Sequence, residues 1–341
     1  MTDPLITALR RLAAQEELTA DETADALGLL MSGAATPAQA AGFLLGLRIR
    51  GESAAEVAGA ARAIRAVMVP VPHPAPGRLV DTCGTGGGRV TTINVSTAAA
   101  FVVAAAGVPV AKHGNRSHTS RSGSADVLEA LSIRIDLPPE RSGELLETVG
   151  LAFLFAPAHH PAMRHLAPVR RELGVPTVMN LLGPLVNPAG VRRQVVGVAD
   201  AGRGPVVAEA LRLLGATHAL VVHADVGMDE ISPAGVTHVW EVREAGVEAW
   251  VFDPARHGLE AGLDGLEGGT PPENARRIER LLEGHGAPGL RAAVLLNAAA
   301  AVYVAEDGGD WEGAVARAAG ALDGGAARAK LEELRRVSTS G

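Results

Sequence analysis

Cysteine is almost missing from this 341-residue chain, Cys83 being the only one. One cysteine excludes an internal disulfide framework and a multi-cysteine zinc site, and it suits a reducing compartment. Aromatic residues are scarce as well, at 3% of the sequence, so alanine and the branched aliphatics must fill the interior. There is no excess of positive charge: 31 Lys and Arg stand against 38 Asp and Glu, a formal net charge of −7. A general nucleic-acid binder needs a basic footprint that this balance lacks. No leader pattern is expected at the N-terminus, where Asp3, Arg10, Arg11, Glu16 and Glu17 interrupt any apolar core. The longest apolar stretch read from the sequence, 95–111, is broken by Gly107 and Pro109 and is too short to span a bilayer. The expectation is a cytoplasmic protein with neither membrane nor nucleic acid as a partner.

What is present is long enough for a large core and two domains. Residues 1–70 read as all-helical. Leu5, Ile6, Leu9 and Leu12 share one helical face, and capping boxes open further helices at Thr19, Thr36 and Ser53. Ala40, Ala41, Gly42 and Gly46 allow close approach of a neighbouring helix or of a second subunit. A proline-rich stretch, 69–76, reads as a stiff linker. Beyond it strands are expected at 79–81, 108–111, 152–155, 195–198 and 219–223. They alternate with helices at 96–106, 124–131, 141–149, 204–214 and 272–282. That alternation predicts an α/β domain with a mostly parallel sheet and ligands at the carboxyl ends of its strands. The segment 162–190 breaks the pattern, with a helix over 162–174 and an aperiodic loop over 180–188. It is expected to return to the helical domain, leaving 76–161 and 191–341 as the α/β domain. The tail, 337–341, is expected to fray.

Four stretches carry chemistry. The first, Asp81-Thr82-Cys83-Gly84-Thr85-Gly86-Gly87-Gly88, leads through Thr92 and Asn94 into a helix, and its backbone amides can converge on an anion. It matches neither G-x-G-x-x-G nor G-x-x-x-x-G-K-[ST]. The second, Lys112 to Asp126, follows the next strand, brings cations and hydroxyls, and enters a helix read as capped by Ser124. Two such loops on neighbouring strands suggest a ligand with phosphates at both ends. Third, the adjacent carboxylates Asp229 and Glu230 offer hard oxygen ligands of the kind magnesium takes beside phosphates. Fourth, Arg170 falls seven residues after Met163 on one expected helix face, where it could grip a carboxylate. By itself an arginine there more often pairs with an acid such as Glu172. His159 and His160 are read as loop structure or substrate packing, and Cys83 as a small buried filler.

These stretches resemble the anthranilate phosphoribosyltransferases, with 112–131 and 155–188 the most specific parts, and the likeness runs through Gly268-Gly269-Thr270-Pro271-Pro272-Glu273-Asn274. The resemblance implies a small helical domain joined to an α/β domain with a mostly parallel central sheet, like the nucleoside phosphorylases and class 3 phosphoribosyltransferases. It implies a homodimer contacting through the helical domains. The implied reaction joins anthranilate to phosphoribosyl pyrophosphate with Mg2+, releasing pyrophosphate. Gly84, Gly87, Gly88, Thr92, Asn94, Val95, Ser96, Thr97, Lys112, His113, Gly114, Asn115, Arg116, Ser117, His118, Thr119, Ser120 and Ser124 would hold phosphoribosyl pyrophosphate. Gly84, His113, Asn115, Pro157, His160, Met163 and Arg170 would form the anthranilate site, and Ser96, Asp229 and Glu230 would hold the metal. Lys112 and Arg121 would stabilise the leaving charge, with His113 the base if one is needed. One position departs from the family pattern: Gly88-Arg89 stand in place of Asp-Gly, removing a carboxylate beside the pyrophosphate and making Arg89 a candidate phosphate contact. A pyrimidine nucleoside phosphorylase and a nucleic-acid-binding relative of the same fold are the alternatives. The Asn115-Arg116-Ser117 loop, the acid pair and the Arg170 helix weigh against the first, and the acid pair with the net negative charge against the second.

Overall fold

The first helices start where polar caps place them. In the computed structural model, which describes residues 3–73, 76–117, 121–306 and 309–340, the Asp3 carboxylate accepts from Leu5 N and caps α1 (Pro4–Ala13). Capping boxes pair Thr19 with Glu22 at α2 (Ala20–Ser32), Thr36 with Gln39 at α3 (Pro37–Arg50) and Ser53 with Glu56 at α4 (Ala54–Val67). Each box satisfies two amides that a helix start leaves open. The small residues of α3 are used inside this unit. A Cβ added at Gly42 or Gly46 would lie 3.3 or 3.1 Å from the side chains of Leu9 and Leu12 on α1.

Past the linker the chain builds one sheet in the order β3-β2-β1-β4-β5-β6-β7. Its strands are β1 (Val80–Asp81), β2 (Val110–Gly114), β3 (Leu151–Phe155), β4 (Arg193–Gly197), β5 (His218–Ala224), β6 (Thr237–Arg243) and β7 (Gly246–Phe252). The first five run parallel, and β6 and β7 add an antiparallel hairpin. Successive connections place β2 and β3 on one side of β1 and β4 and β5 on the other. The order therefore reverses at β1, and the crevice above its carboxyl end is where such sheets bind ligands. Helices α5 (Val95–Ala105), α6 (Ser124–Ala130), α7 (Pro139–Thr148), α11 (Gly204–Leu213) and α12 (Pro271–Leu282) fall close to their expected spans.

Several expectations are corrected. The stretch 162–174 is two pieces, a 3-10 turn over Pro161–His165 and α9 (Ala167–Leu173), because Pro168 sits in the first turn of α9 and starts a new helix. Just upstream, Ala156–His159 forms one short turn, α8. The aperiodic stretch 180–188 holds α10 (Met179–Leu182) and a 3-10 turn over Gly183–Val186. The β6–β7 hairpin was not expected: its two-residue turn, Glu244-Ala245, carries no Gly or Asn signal. Nor was α13 (Pro288–Ala305), which by length and composition could cross a membrane, yet 78% of it is buried in the core. Helices α14 (Trp311–Asp323) and α15 (Ala326–Thr339) complete the fold. The tail is helical to Thr339, where buried Ser338 accepts from Arg134 N at 3.3 Å.

The linker is pinned rather than free: Val69 N donates to His159 O and Val71 N to Pro188 O. Leu166, Val169, Leu182 and Leu185 pack in one hydrophobic cluster with Phe43, Leu44 and Ile64 of α3 and α4.

Candidate active site

A cleft of about 920 Å3 opens at the carboxyl ends of β1, β2, β4 and β5. Its floor is the glycine-rich loop after β1. Gly86 and Gly87 take φ of +70° and +87°, a backbone that only glycine adopts without strain. Thr85 N donates to Gly197 O at 2.8 Å, which fastens the loop to β4. Gly88 lies so close to the acid pair that a Cβ there would meet Asp229 Oδ1 at 2.7 Å. Arg89 is exposed and does not line the cleft.

The start of α5 faces the same space. Thr97 Oγ1 is buried with no hydrogen-bond partner among the described residues, and Ser96 Oγ accepts from Lys112 Nζ at 3.2 Å. An orphaned hydroxyl at a helix N-terminus is a ready partner for a phosphate oxygen. Val95 is buried beneath this turn and does not line the cleft. Asn94 spends its amide on structure: it donates to Ser122 O at 3.0 Å and accepts from Asn274 at 3.0 Å, so it ties the second loop to the first.

In that second loop, Asp126 accepts from Gly123 N at 2.8 Å and Ser117 N at 3.1 Å and holds the turn closed. Gly123 is the cap residue and Ser124 the first residue of α6, which corrects the expected cap; the Ser124 hydroxyl donates to Asn115 O. The Arg116 guanidinium pairs with Glu129 and Asp126 and lies over the Phe155 ring, 5.6 Å from its centre. Arg121 is exposed and outside the cleft lining, close enough to Glu273 to favour its ionised form. His118, Thr119 and Ser120 lie outside the described residues.

Asp229 and Glu230 stand on the opposite wall, each partly open to the cleft. Thr92 Oγ1 donates to Glu230 Oε2 at 3.1 Å, and neither carboxylate has an ion-pair partner among the described residues. Desolvation first, then the charge of Asp229, pushes Glu230 up to about 8; desolvation raises Asp229 too. Two carboxylates so placed hold a proton between them at neutral pH unless a cation replaces it. With the Ser96 hydroxyl they form an all-oxygen donor set that fits a hard divalent ion. Among the described residues no group of three or more His, Cys, Asp or Glu could cage a metal alone, so such an ion would need ligand oxygens from a bound phosphate.

The far end of the cleft is assembled differently. His113 Nδ1 lies 2.9 Å from Gly183 O, which assigns it the proton and leaves Nε2 to accept from His160 Nε2 at 3.3 Å. Burial, chiefly, presses His113 down to about 3 and His160 to about 4, so both are neutral. His159 instead holds the linker through Val69 O. Met163 and Arg170, although on separate helical pieces, both line this end. The Arg170 guanidinium is buried enough to lower its pKa and makes no ion pair among the described residues, so it is not spent on Glu172. Pro157, Asn115 and Gly84 line the cleft as well.

Sequence reasoning missed two residues behind the site. Asp81 is fully buried and accepts from His113 N at 3.2 Å and Asn187 Nδ2 at 2.8 Å; Asn187 also donates to Ala111 O at 2.8 Å. This pair clamps the 183–188 strap, and with it Gly183, onto the ends of β1 and β2. Desolvation raises Asp81 to about 6. Their only signal was position, each sitting inside a stretch read for other residues. Cys83 is half-buried on the cleft wall rather than a core filler. Desolvation raises its thiol to about 12, which makes it unreactive.

Comparison with known proteins bears directly on this geometry. Residues 76–328 match the glycosyl transferase family, a/b domain, and residues 6–68 match the glycosyl transferase family, helical bundle domain. The chain is 52% identical to an anthranilate phosphoribosyltransferase of Rubrobacter xylanophilus, over 97% of this chain and 96% of the relative. The crystal structure of anthranilate phosphoribosyltransferase from Thermus thermophilus superposes with a TM-score of 0.91 at 45% identity, covering 98% of this chain and 99% of that one. The Saccharomyces cerevisiae enzyme, in complex with PRPP and Mg, superposes with a TM-score of 0.89 at 29% identity over 99% and 98%.

Proposed function

The chain belongs to the anthranilate phosphoribosyltransferases, and on that premise we propose that it transfers the phosphoribosyl group of phosphoribosyl pyrophosphate to the amine of anthranilate, with Mg2+. The observation that carries this reading is one cleft lined by both an acid pair and an arginine that have no ion-pair partner among the described residues. In this reading the glycine loop, Ser96, Thr97 and the Lys112–Ser117 backbone receive the two phosphate groups. Asp229, Glu230 and Ser96 hold the metal. A divalent cation bound there supplies neutralising charge to the leaving pyrophosphate. Lys112 is fixed by Thr82 and Ser96 to add to that stabilisation.

Arg170 grips the acceptor carboxylate, and Asn115 orients the ring so that the amine nitrogen faces the ribose C1. An aromatic amine is neutral at pH 7 and needs placement more than deprotonation. His113 accords with that: its Nε2 is engaged by His160 and its basicity is low, so it shapes the wall rather than serving as a strong base. Arg121 is exposed and stands outside the cleft lining.

The packing of Leu166, Val169, Leu182 and Leu185 against α3 and α4 supports reading 162–190 as the returning part of the helical domain. The homodimer through that domain and the cytoplasmic location remain part of this reading. The test is anthranilate fluorescence followed with phosphoribosyl pyrophosphate and varied magnesium. Magnesium-dependent consumption is expected; phosphate-dependent nucleoside cleavage with no anthranilate turnover would overturn it.

A further inference from the structure

An aromatic acid is gripped here by a pocket whose only rings, among the described residues, are the imidazoles of His113 and His160 and its prolines. None of the described residues lining the cleft is Phe, Tyr or Trp. The chain's tryptophans and its tyrosine gather instead about the β6–β7 hairpin and α13. Lining the same cleft as Arg170 are Met163, half-buried in its 3-10 turn, Met179, 5% exposed at the start of α10, and Ile64 of α4. Met163 and Met179 also belong to the same hydrophobic cluster, so their thioethers bridge core and cleft. An unbranched thioether has several rotatable bonds and refits to the shape beside it, whereas a ring edge imposes a fixed outline. Pro161 and Arg164 at the rim are exposed, so this end is not sealed. Charge and the amine–carboxylate spacing are therefore gauged strictly, by Arg170 and Asn115, while ring outline is gauged softly.

We propose that the enzyme also phosphoribosylates bicyclic ortho-amino aromatic acids, with Met163 and Met179 setting the limit on ring size; this rests on the function proposed above. The chemistry is unchanged. The amine lone pair forms the N–C1 bond as the C1–O bond breaks, the electron pair leaves on pyrophosphate, and the amine proton passes to water.

The probe is 3-amino-2-naphthoate, given with phosphoribosyl pyrophosphate and magnesium to the intact enzyme. Product mass and pyrophosphate release are read beside an anthranilate reaction. The expected kcat/KM is within about thirtyfold of that for anthranilate, a hydrophobic pocket discriminating weakly where its wall can yield. Met179→Phe and, separately, Met163→Phe should each lower the naphthoate-to-anthranilate ratio by about tenfold or more. Turnover of anthranilate with no naphthoate product overturns this inference and leaves the parent reading intact. Turnover of neither overturns both. Equal loss of both acceptors in both variants removes the methionines as the limit on ring size.

Discussion

The two ends of the cleft leave opposite charges uncompensated. At one end Asp229 and Glu230 are desolvated side by side, which outweighs the Thr92 hydroxyl and the weaker charges of Lys112 and His223 nearby, and their pKa values rise. At the other, Arg170 is desolvated without an acid, and its pKa falls. Each departs from its ordinary value in the direction that weakens its charged form, so each costs the fold stability. Structural ion pairs in the same molecule behave oppositely: Glu241, held by His218, Arg243, Tyr303 and Trp250, is pressed down to about 2. The contrast separates charges that are used by the fold from charges that await a ligand.

Removing one end should break the comparison most visibly. Asp229→Asn with Glu230→Gln is expected to lower kcat/KM by roughly a thousandfold or more and to abolish the magnesium dependence. The same variant should melt higher than the parent in metal-free buffer at pH 8. An acid whose folded pKa lies above its unfolded one destabilises the fold as pH rises through it, and the amides remove that cost. A lower Tm would show that the pair supports the fold instead. At the other end, Arg170→Ala should lower kcat/KM for anthranilate by roughly a hundredfold, the value of a charge-assisted pair. The KM for phosphoribosyl pyrophosphate should stay within about threefold. Steady-state kinetics varying each substrate decides; equal effects on both would erase the division between the ends.

That division also explains what was legible in the sequence. The end proposed for phosphate is made from contiguous backbone: glycines at fixed offsets, a helix start at Ser96, a strand end at Lys112. Such signals are local, and they survive without knowledge of the fold. The acceptor end is made by meeting of distant segments. His113 finds its partner in Gly183, seventy residues on, and Asp81 finds Asn187 across the strap. Neither pairing has a spacing that a sequence displays. Arg170 illustrates the limit best, since its residue type is equally suited to a surface pair with Glu172, and only burial without an acid distinguishes the two. The 3-10 turns at 161–165 and 183–186 escaped for a related reason: runs so short, interrupted by Pro161, Pro168 and Pro184, have no readable period.

Neutral histidines at the acceptor end give the comparison a pH signature. His113 titrates at about 3 in the fold against an ordinary 6.5, and His160 at about 4, both mainly through burial. A depressed histidine contributes stability that is present above its unfolded pKa and is lost as pH falls toward the folded value. Between pH 6.5 and 5 the loss from His113 alone should be about 2 kcal/mol. Urea midpoints across that range would measure it, and His113→Gln should flatten the slope. A slope that is unchanged in the variant would assign the acid sensitivity elsewhere.

The smallest effect is expected where a phosphate-loop cation is already spent. Arg116 lies in the loop that the family resemblance assigns to phosphoribosyl pyrophosphate, and it lines the cleft. Its guanidinium, however, is engaged by Glu129 at Nη2, 2.8 Å away, and by Asp126 at 3.3 Å, and it covers Phe155. These partners sit on α6 and β3, so the side chain braces the loop from behind while the loop backbone faces the ligand. Arg116→Ala should therefore raise the KM for phosphoribosyl pyrophosphate by less than about tenfold, against the far larger loss on removing the acid pair. Glu129→Gln should reproduce that modest change, because it loosens the same brace without touching a cation. If Arg116→Ala instead costs as much as the acid pair while Glu129→Gln costs nothing, the guanidinium swings onto a phosphate when substrate binds, and the phosphate end is not built from backbone alone.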